Sequence, residues 1–343
     1  MKIVSSRPTI TRKELEGVLD CLINDELQTG TCVKEFESAL ARLVGLQYSL
    51  VTSSLTSAYQ LVFKSLGIGN GDEVILPDYT HPAPLAALDS AGAKPVLVDC
   101  EENSLFPSAE SIKKLIGEKT RAVVIFHIFG YHFPREALAE AGIPVIEDIS
   151  HAIGTEINDV PAGGEAAFTV ASFSSSMIIT TGNGGMVLTN NSRNYSSMKE
   201  NRGGDDGHPG LDCGMTDFQA AMGISQISKL QNFLARRREI AKIYHEALRI
   251  TPHKSIVPFS DRFAYQSFPI LFDASNEKVE KYWRKCGIEI YQPVRGLHNF
   301  LGLKREDFPI SGRLSKKLYS LPIYPTLTKK DIEGIAKNLS KFV

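Results

Sequence analysis

Long apolar runs, paired cysteines and blocks of like charge are all scarce in this chain, and each absence removes a class of function. No apolar stretch approaches the roughly twenty residues that a membrane-spanning helix needs. The longest, around Ala122 to Phe129, reads as a buried strand. The opening residues, Met1 to Pro8, carry no apolar signal core. The five cysteines, Cys21, Cys32, Cys100, Cys213 and Cys286, are scattered and lack CxxC spacing, which speaks against a zinc site and for reduced thiols in the cytoplasm. The densest basic patch, Arg236 to Arg238, lies in a segment of helical periodicity and reads as a solvated helix face. With a formal net charge of -1 and both signs dispersed, neither nucleic acid nor membrane is an expected partner. No internal repeat and no low-complexity tract is visible.

What is present describes an ordinary globular chain. Its 343 residues, 43% hydrophobic and 22% charged, suffice for a large core and two subdomains. Short apolar runs at Tyr48–Val51, Glu73–Leu76, Pro95–Val98, Ala122–Ile125, Pro144–Ile146, Phe168–Ser172 and Met186–Thr189 read as strands. Helical patterns fall between them, at Thr56–Leu66, Ala83–Ala91, Ala109–Leu115 and Arg135–Ala141. Apolar runs without polar alternation point to a mostly parallel sheet covered on both faces. Before them, residues 10–44 read as two helices joined by a turn at Gln28 to Thr31. Beyond residue 195 come a polar, glycine-rich loop (Asn201 to Gly210) and one long helix from Thr216 to about Arg249. A smaller α+β unit follows, with strands at Ala264–Phe272 and Ile288–Gln292 and helices at Lys278–Lys285 and Lys329–Phe342. The expected division is 1–249 and 250–343.

Two segments carry the chemical signal. One runs from Val145 through Glu147, Asp148 and His151 to Gly154; the other runs from Val170 through Ser172, Phe173 and Met177 to Gly182, Asn183, Gly184 and Met186. With Gly67 to Ile75, Gly92 to Val96, Met215 to Ala221, Arg237 to Ala241 and Leu321 to Pro325, they form an ordered set. That set resembles the DegT/DnrJ/EryC1/StrS family of sugar aminotransferases, which use pyridoxal phosphate (PLP). The resemblance implies the α/β architecture of fold type I PLP transferases: a mostly parallel mixed sheet with helices on both faces and a smaller C-terminal α+β domain. It also implies a dimer and nucleotide-linked keto sugars as substrates. It casts Asp148 as the partner of the pyridine nitrogen, His151 as a neighbour of the ring and His81 as the aromatic stacked on it. Ser172 and Thr56 become hydroxyls for the phosphate, the latter where a helix opens and its amides favour anions.

The departures from that pattern fall at the site itself. Where the family pattern has Ser-Phe, three residues and a lysine that forms the Schiff base, this sequence has Met177. A thioether has no amine to condense with an aldehyde and no proton to give. The phosphate turn reads Ser54-Leu55-Thr56 with leucine for glycine, which would deny a positive φ. Asn183 replaces a glutamate, and Asp212 stands where an asparagine would reach a neighbour's phosphate. The expectation is a degenerate homologue in nucleotide-sugar or polysaccharide biosynthesis with no catalytic residue and no covalently bound cofactor. It would pair with itself or with a lysine-bearing paralogue, and take a nucleotide-sugar ligand. The alternative is a sugar-modifying enzyme, dehydratase-like or an aminotransferase, that holds PLP or PMP noncovalently and uses His151 or His81 as base. A transaminase with a recruited lysine is a further alternative; Lys199 lies beyond the strand that follows Met177.

Overall fold

The apolar runs assemble into one seven-stranded sheet. The computed structural model describes residues 2–203 and 209–342, so part of the glycine-rich stretch from Asn201 to Gly210 lies outside the described residues. Helices α1 (Arg12–Ile23) and α2 (Thr31–Val44) come first. Then β1 (Tyr48–Thr52), α3 (Leu55–Ser65), β2 (Glu73–Pro77), α4 (Ala83–Ala91), β3 (Lys94–Val98), α5 (Ala109–Lys114), β4 (Thr120–Phe126) and β5 (Val145–Asp148) alternate. A short hairpin, β6 (Glu156–Ile157) with β7 (Val160–Pro161), precedes β8 (Phe168–Ser172) and β9 (Gly185–Thr189). Helices α6 (Ser192–Arg202), α7 (Asp217–Ser228) and α8 (Leu230–Leu248) follow. The C-terminal part holds β10 (Phe268–Leu271), α9 (Asn276–Lys285), α10 (His298–Leu301), α11 (Pro309–Lys317), β11 (Leu318–Leu321) and α12 (Lys329–Lys341).

The strand order is β1-β9-β8-β5-β4-β2-β3, and β9 alone runs against its two neighbours. Consecutive residues of a strand face opposite sides, and here both sides are buried. Leu50, Val74, Leu76, Val124, Ile146, Val170 and Val187 pack under α3, α4 and α6. Their neighbours Val51, Ala171, Met186 and Leu188 face the core built with α2 and α8. Ile75, Val123 and Ile125 face a smaller cluster with Ile112 and Leu138. Burial on both faces is why these strands read as unbroken apolar runs.

The C-terminal unit pairs β10 with β11 antiparallel around Trp283, Phe272 and Leu339. Ile240, Tyr244 and Leu248 of α8 enter the same core, as do Tyr79 and Phe126 from the ends of β2 and β4. Carboxylates at the strand ends fasten this unit to the sheet. Asp99 accepts from the amides of Ile310 (2.9 Å) and Ser311 (2.8 Å) at the start of α11, where a negative charge suits the helix dipole. Buried Asp78 accepts from the His298 amide and from His298 Nδ1, each at 2.7 Å, and from the Ser311 hydroxyl.

Several elements depart from the periodicity. The long helix expected after Thr216 breaks at Lys229 into α7 and α8. The ammonium of Lys229 pairs with Glu14 on α1, and its backbone, at φ -107° and ψ -1°, interrupts the regular helix geometry. Arg135–Ala141 forms only a 3-10 turn over Arg135–Leu138: among its described side chains Leu138 alone is buried, and one apolar anchor cannot hold several helical turns. The expected strand at Ile288–Gln292 reduces to isolated bridges, Ile3 with Ile288 and Tyr291 with Ser320.

Glu14 is the tie between α1 and α7. Its buried carboxylate accepts from the Thr11 amide and hydroxyl (both 2.7 Å), from Gln226 (2.7 Å) and Ser225 (3.1 Å), and pairs with Lys229. Burial works to raise its pKa, but Lys229 and the hydrogen bonds of Thr11 and Gln226 outweigh it and bring the value down to about 2. A folded-state pKa below the ordinary 4.5 means that Glu14 stabilises the fold above that pH and loses the contribution as pH falls toward 2. Glu14→Gln is therefore expected to lower the melting temperature at neutral pH, with the gap to wild type closing between pH 4.5 and 2 in a thermal-denaturation series.

Candidate functional site

Parallel strands place ligand sites in the crevice beyond their carboxyl ends. At that edge Asp148 ends β5, Ser172 ends β8, and Ser53 and Ser54 leave β1 for α3. Because β9 runs the other way, its start at Gly185 brings the Phe173–Gly184 loop, with Met177, to the same edge.

Asp148 is fully buried, and its carboxylate is occupied on both oxygens. Oδ1 accepts from the Ser150 amide at 2.8 Å. Oδ2 accepts from the Tyr59 hydroxyl at 2.7 Å and pairs with His81 Nε2 at 2.8 Å. Burial pushes the Asp148 pKa up, but its partner His81, with the bonds from Ser150, holds it below the usual carboxylate value. For Tyr59, burial first and then the Asp148 charge raise the phenol well above its ordinary value, so it remains a donor.

The two histidines are each fixed by a backbone amide. His81 Nδ1 accepts from Ala83 N–H at 3.3 Å, which leaves Nε2 to carry the proton toward Asp148. His151 Nδ1 accepts from Phe129 N–H at 3.1 Å, an amide presented by a backbone at φ 61°. Burial, and next the neighbouring His81, bring the His151 pKa down to about 3 against the opposing pull of Asp148. His151 is thus neutral, with Nε2–H as its donor. Phe126 separates the rings: it lies edge-on to His81 at 4.8 Å and tilted to His151 at 4.7 Å.

At the opening of α3, Ser54 accepts from the Ser57 amide at 3.1 Å, and the Ser53, Ser54 and Ser57 hydroxyls form a short chain. Thr56 sits in this first turn, half-buried. Leu55 is the first helical residue with ordinary φ, so the leucine is accommodated without the positive φ that its place in the turn suggested; its side chain joins the apolar cluster that includes Leu211. The Cys213 carbonyl accepts from the Ser53 amide at 2.7 Å, which sets the irregular stretch carrying Asp212 beside this turn. Asp212 itself adopts a left-handed φ of 43°. Ser172 is buried and accepts from the Ser174 amide at 3.3 Å. Met177 is half-buried, its amide bonded to the Ser174 carbonyl at 3.0 Å, and Gln266 ties the loop down through the Ser176 carbonyl at 2.6 Å.

The structure thus gathers Asp148, His81 and His151 into one cluster and aligns Thr56, Ser172 and Met177 along the same strand edge. His81, which the resemblance cast as a stacking ring, points its edge at Asp148 instead. Tyr59 escaped the sequence reading, since a tyrosine inside an apolar helix pattern reads as core. The available signal was its hydroxyl, which needs a partner when buried.

A model of the DegT/DnrJ/EryC1/StrS aminotransferase family matches residues 8–340. The chain belongs to that family. GDP-perosamine synthase of Escherichia coli O157:H7 is 28% identical to this member over 354 residues, covering 98% of the chain and 97% of that protein. A chain described as a sugar aminotransferase of Streptococcus pneumoniae, solved in a PLP form, has a TM-score of 0.91 at 23% identity, over 100% and 98% of the two chains. A variant of GDP-4-keto-6-deoxymannose-3-dehydratase with bound GDP-perosamine gives 0.88 at 19% identity, over 98% and 100%. The architecture of this family member is that of fold type I PLP transferases. Among the described residues no helix is long and apolar enough to cross a membrane, and no group of three or more metal-ligating side chains occurs.

The residues present do not fit a pyridine cofactor as they are packed. Of the three residues that bond Asp148, His81 alone is open to solvent, its side chain 21% exposed. The approach to the carboxylate therefore passes through an imidazole already bonded to it. Tyr59→Phe removes a donor from a buried carboxylate and is expected to cost about 2 kcal/mol of stability in urea denaturation at neutral pH.

Proposed function

We propose that this chain is a degenerate member of its family, acting in nucleotide-sugar metabolism as a ligand-binding or partner subunit and not as a transaminase. One observation carries the reading: Met177 occupies the loop position at which the family resemblance places the Schiff-base lysine. The next lysine along the chain, Lys199, belongs to α6, where its ammonium lies 5.9 Å from the Tyr195 ring. The reading of an enzyme with altered chemistry needs a base, and both histidines of the cluster have committed a ring nitrogen to a backbone amide. The names of the relatives, a GDP-perosamine synthase and a dehydratase holding GDP-perosamine, support a nucleotide-linked deoxy sugar as the ligand class. The subunit would pair with a second copy or with a lysine-bearing relative, since isologous pairing is the commonest assembly.

The test is to incubate the purified chain with PLP, an amino-acid donor and a GDP- or UDP-linked keto sugar, then reduce with borohydride and map the peptides by mass. The expected result is no pyridoxyl-lysine and no amino-sugar product, with a rise in melting temperature on adding the nucleotide sugar alone. Turnover by the chain alone, or a pyridoxyl group on any lysine, refutes the reading. Met177→Lys is expected to leave amino transfer undetected, because the amine would be supplied while Asp148 stays occupied.

A further inference from the structure

We propose that His81 and Tyr59 are the permanent occupants of Asp148, standing where the ring nitrogen of a B6 cofactor would stand, so that the cleft closes itself to PLP and PMP. The inference deepens the preceding reading, on which it rests for the nature of the cleft, but it stands on different residues and concerns binding instead of chemistry.

Four observations converge on it. First, Oδ2 of Asp148 carries two donors, Tyr59 at 2.7 Å and His81 at 2.8 Å, while Oδ1 is held by Ser150. A third donor at Oδ2 would have to displace one of the two, and each is a hydrogen bond to a charged, fully buried acceptor. Second, neither donor is free to leave. Tyr59 is fully buried in α3 beside Phe63, so its hydroxyl has no water to turn to. His81 is held at its other nitrogen by the Ala83 amide and along its edge by Phe126. Third, displacing Tyr59 would strand a polar group in the interior, which is costlier than never having made the bond. Fourth, the two donors come from separate elements, α3 and the turn before α4, so the arrangement ties the helix layer to the end of β5 independently of any ligand. An occupied carboxylate of this kind does for the fold what a cofactor ring does in a loaded site: it satisfies the buried charge.

The substitutions that would reopen the site follow directly. His81→Phe removes the bonded imidazole and offers a flat ring; Tyr59→Leu removes the hydroxyl and leaves an apolar side chain of the kind its helix neighbours supply. PMP is the probe of choice because it brings its own amine and needs no lysine. Isothermal titration at neutral pH with the full chain is expected to show no PMP binding by wild type at concentrations that saturate the His81→Phe/Tyr59→Leu variant. The affinity gain is expected to be about a hundredfold or more, since two hydrogen bonds to a charged acceptor no longer have to be displaced. Adding Asp148→Asn to the double variant should abolish the gain, which places it at the freed carboxylate.

Wild type binding PMP as tightly as the double variant overturns the proposal, and so does a double variant that melts cooperatively yet gains nothing. Nitrogen-15 spectra of the wild-type histidines provide a readout that does not depend on the variants folding. The proposal expects the His81 resonances to be unchanged by PMP; a shift in the His81 Nε2 signal on adding PMP overturns it. PMP binding to wild type without amino transfer would remove this inference and leave the non-transaminase reading standing, whereas amino transfer by wild type would remove that reading.

Discussion

A carboxylate sealed inside the protein has to be answered by donors, and the Asp148 cluster is built around that requirement. An isolated charge at that depth would be protonated or would keep the site from packing. Asp148 stays ionised because a phenol, an imidazole and a backbone amide converge on it. Those three groups come from α3, from the turn ahead of α4 and from the chain just beyond β5, so the demand of one charge fixes the relative position of three elements.

The same device recurs along the carboxyl edge of the sheet. Glu147, next to Asp148 but on the opposite face, accepts from the Gly163 amide at 3.0 Å and pairs with buried His127 at 2.8 Å. Asp78 and Asp99 grip the segment from His298 to Ser311. Asp217, buried at the start of α7, accepts from the amides of Gly30, Cys32 and Val33 and so caps α2, whose N-cap residue, Gly30, offers no side chain. Acidic side chains thus do much of the joining between distant stretches of this chain, and few of those joints rely on surface ion pairs.

The sheet was largely legible in the sequence, because strands buried on both faces leave contiguous apolar runs with little ambiguity of period. The bounds of β1, β2, β3 and β8 agree with that reading to within a residue. Helix α6 was invisible for the converse reason: it is polar through most of its length and is held chiefly by buried Met198 and its Asn191 cap. Strand β11 escaped because its partner β10 lies some fifty residues away, and a pairing of that range leaves no local periodicity. Of the candidate site, Asp148, His81, His151, Thr56, Ser172 and Met177 were all named through the family resemblance, which locates positions but not directions. What a side chain faces depends on partners elsewhere: the hydroxyl that meets Asp148 is 89 residues earlier, and nothing near Tyr59 announces it.

His151 carries one last implication. With its lone pair given to the Phe129 amide and its pKa near 3, the imidazole does not switch between charged and uncharged forms under physiological acidity. Its Nε2–H is thereby left as a donor whose polarity does not change with moderate shifts in acidity.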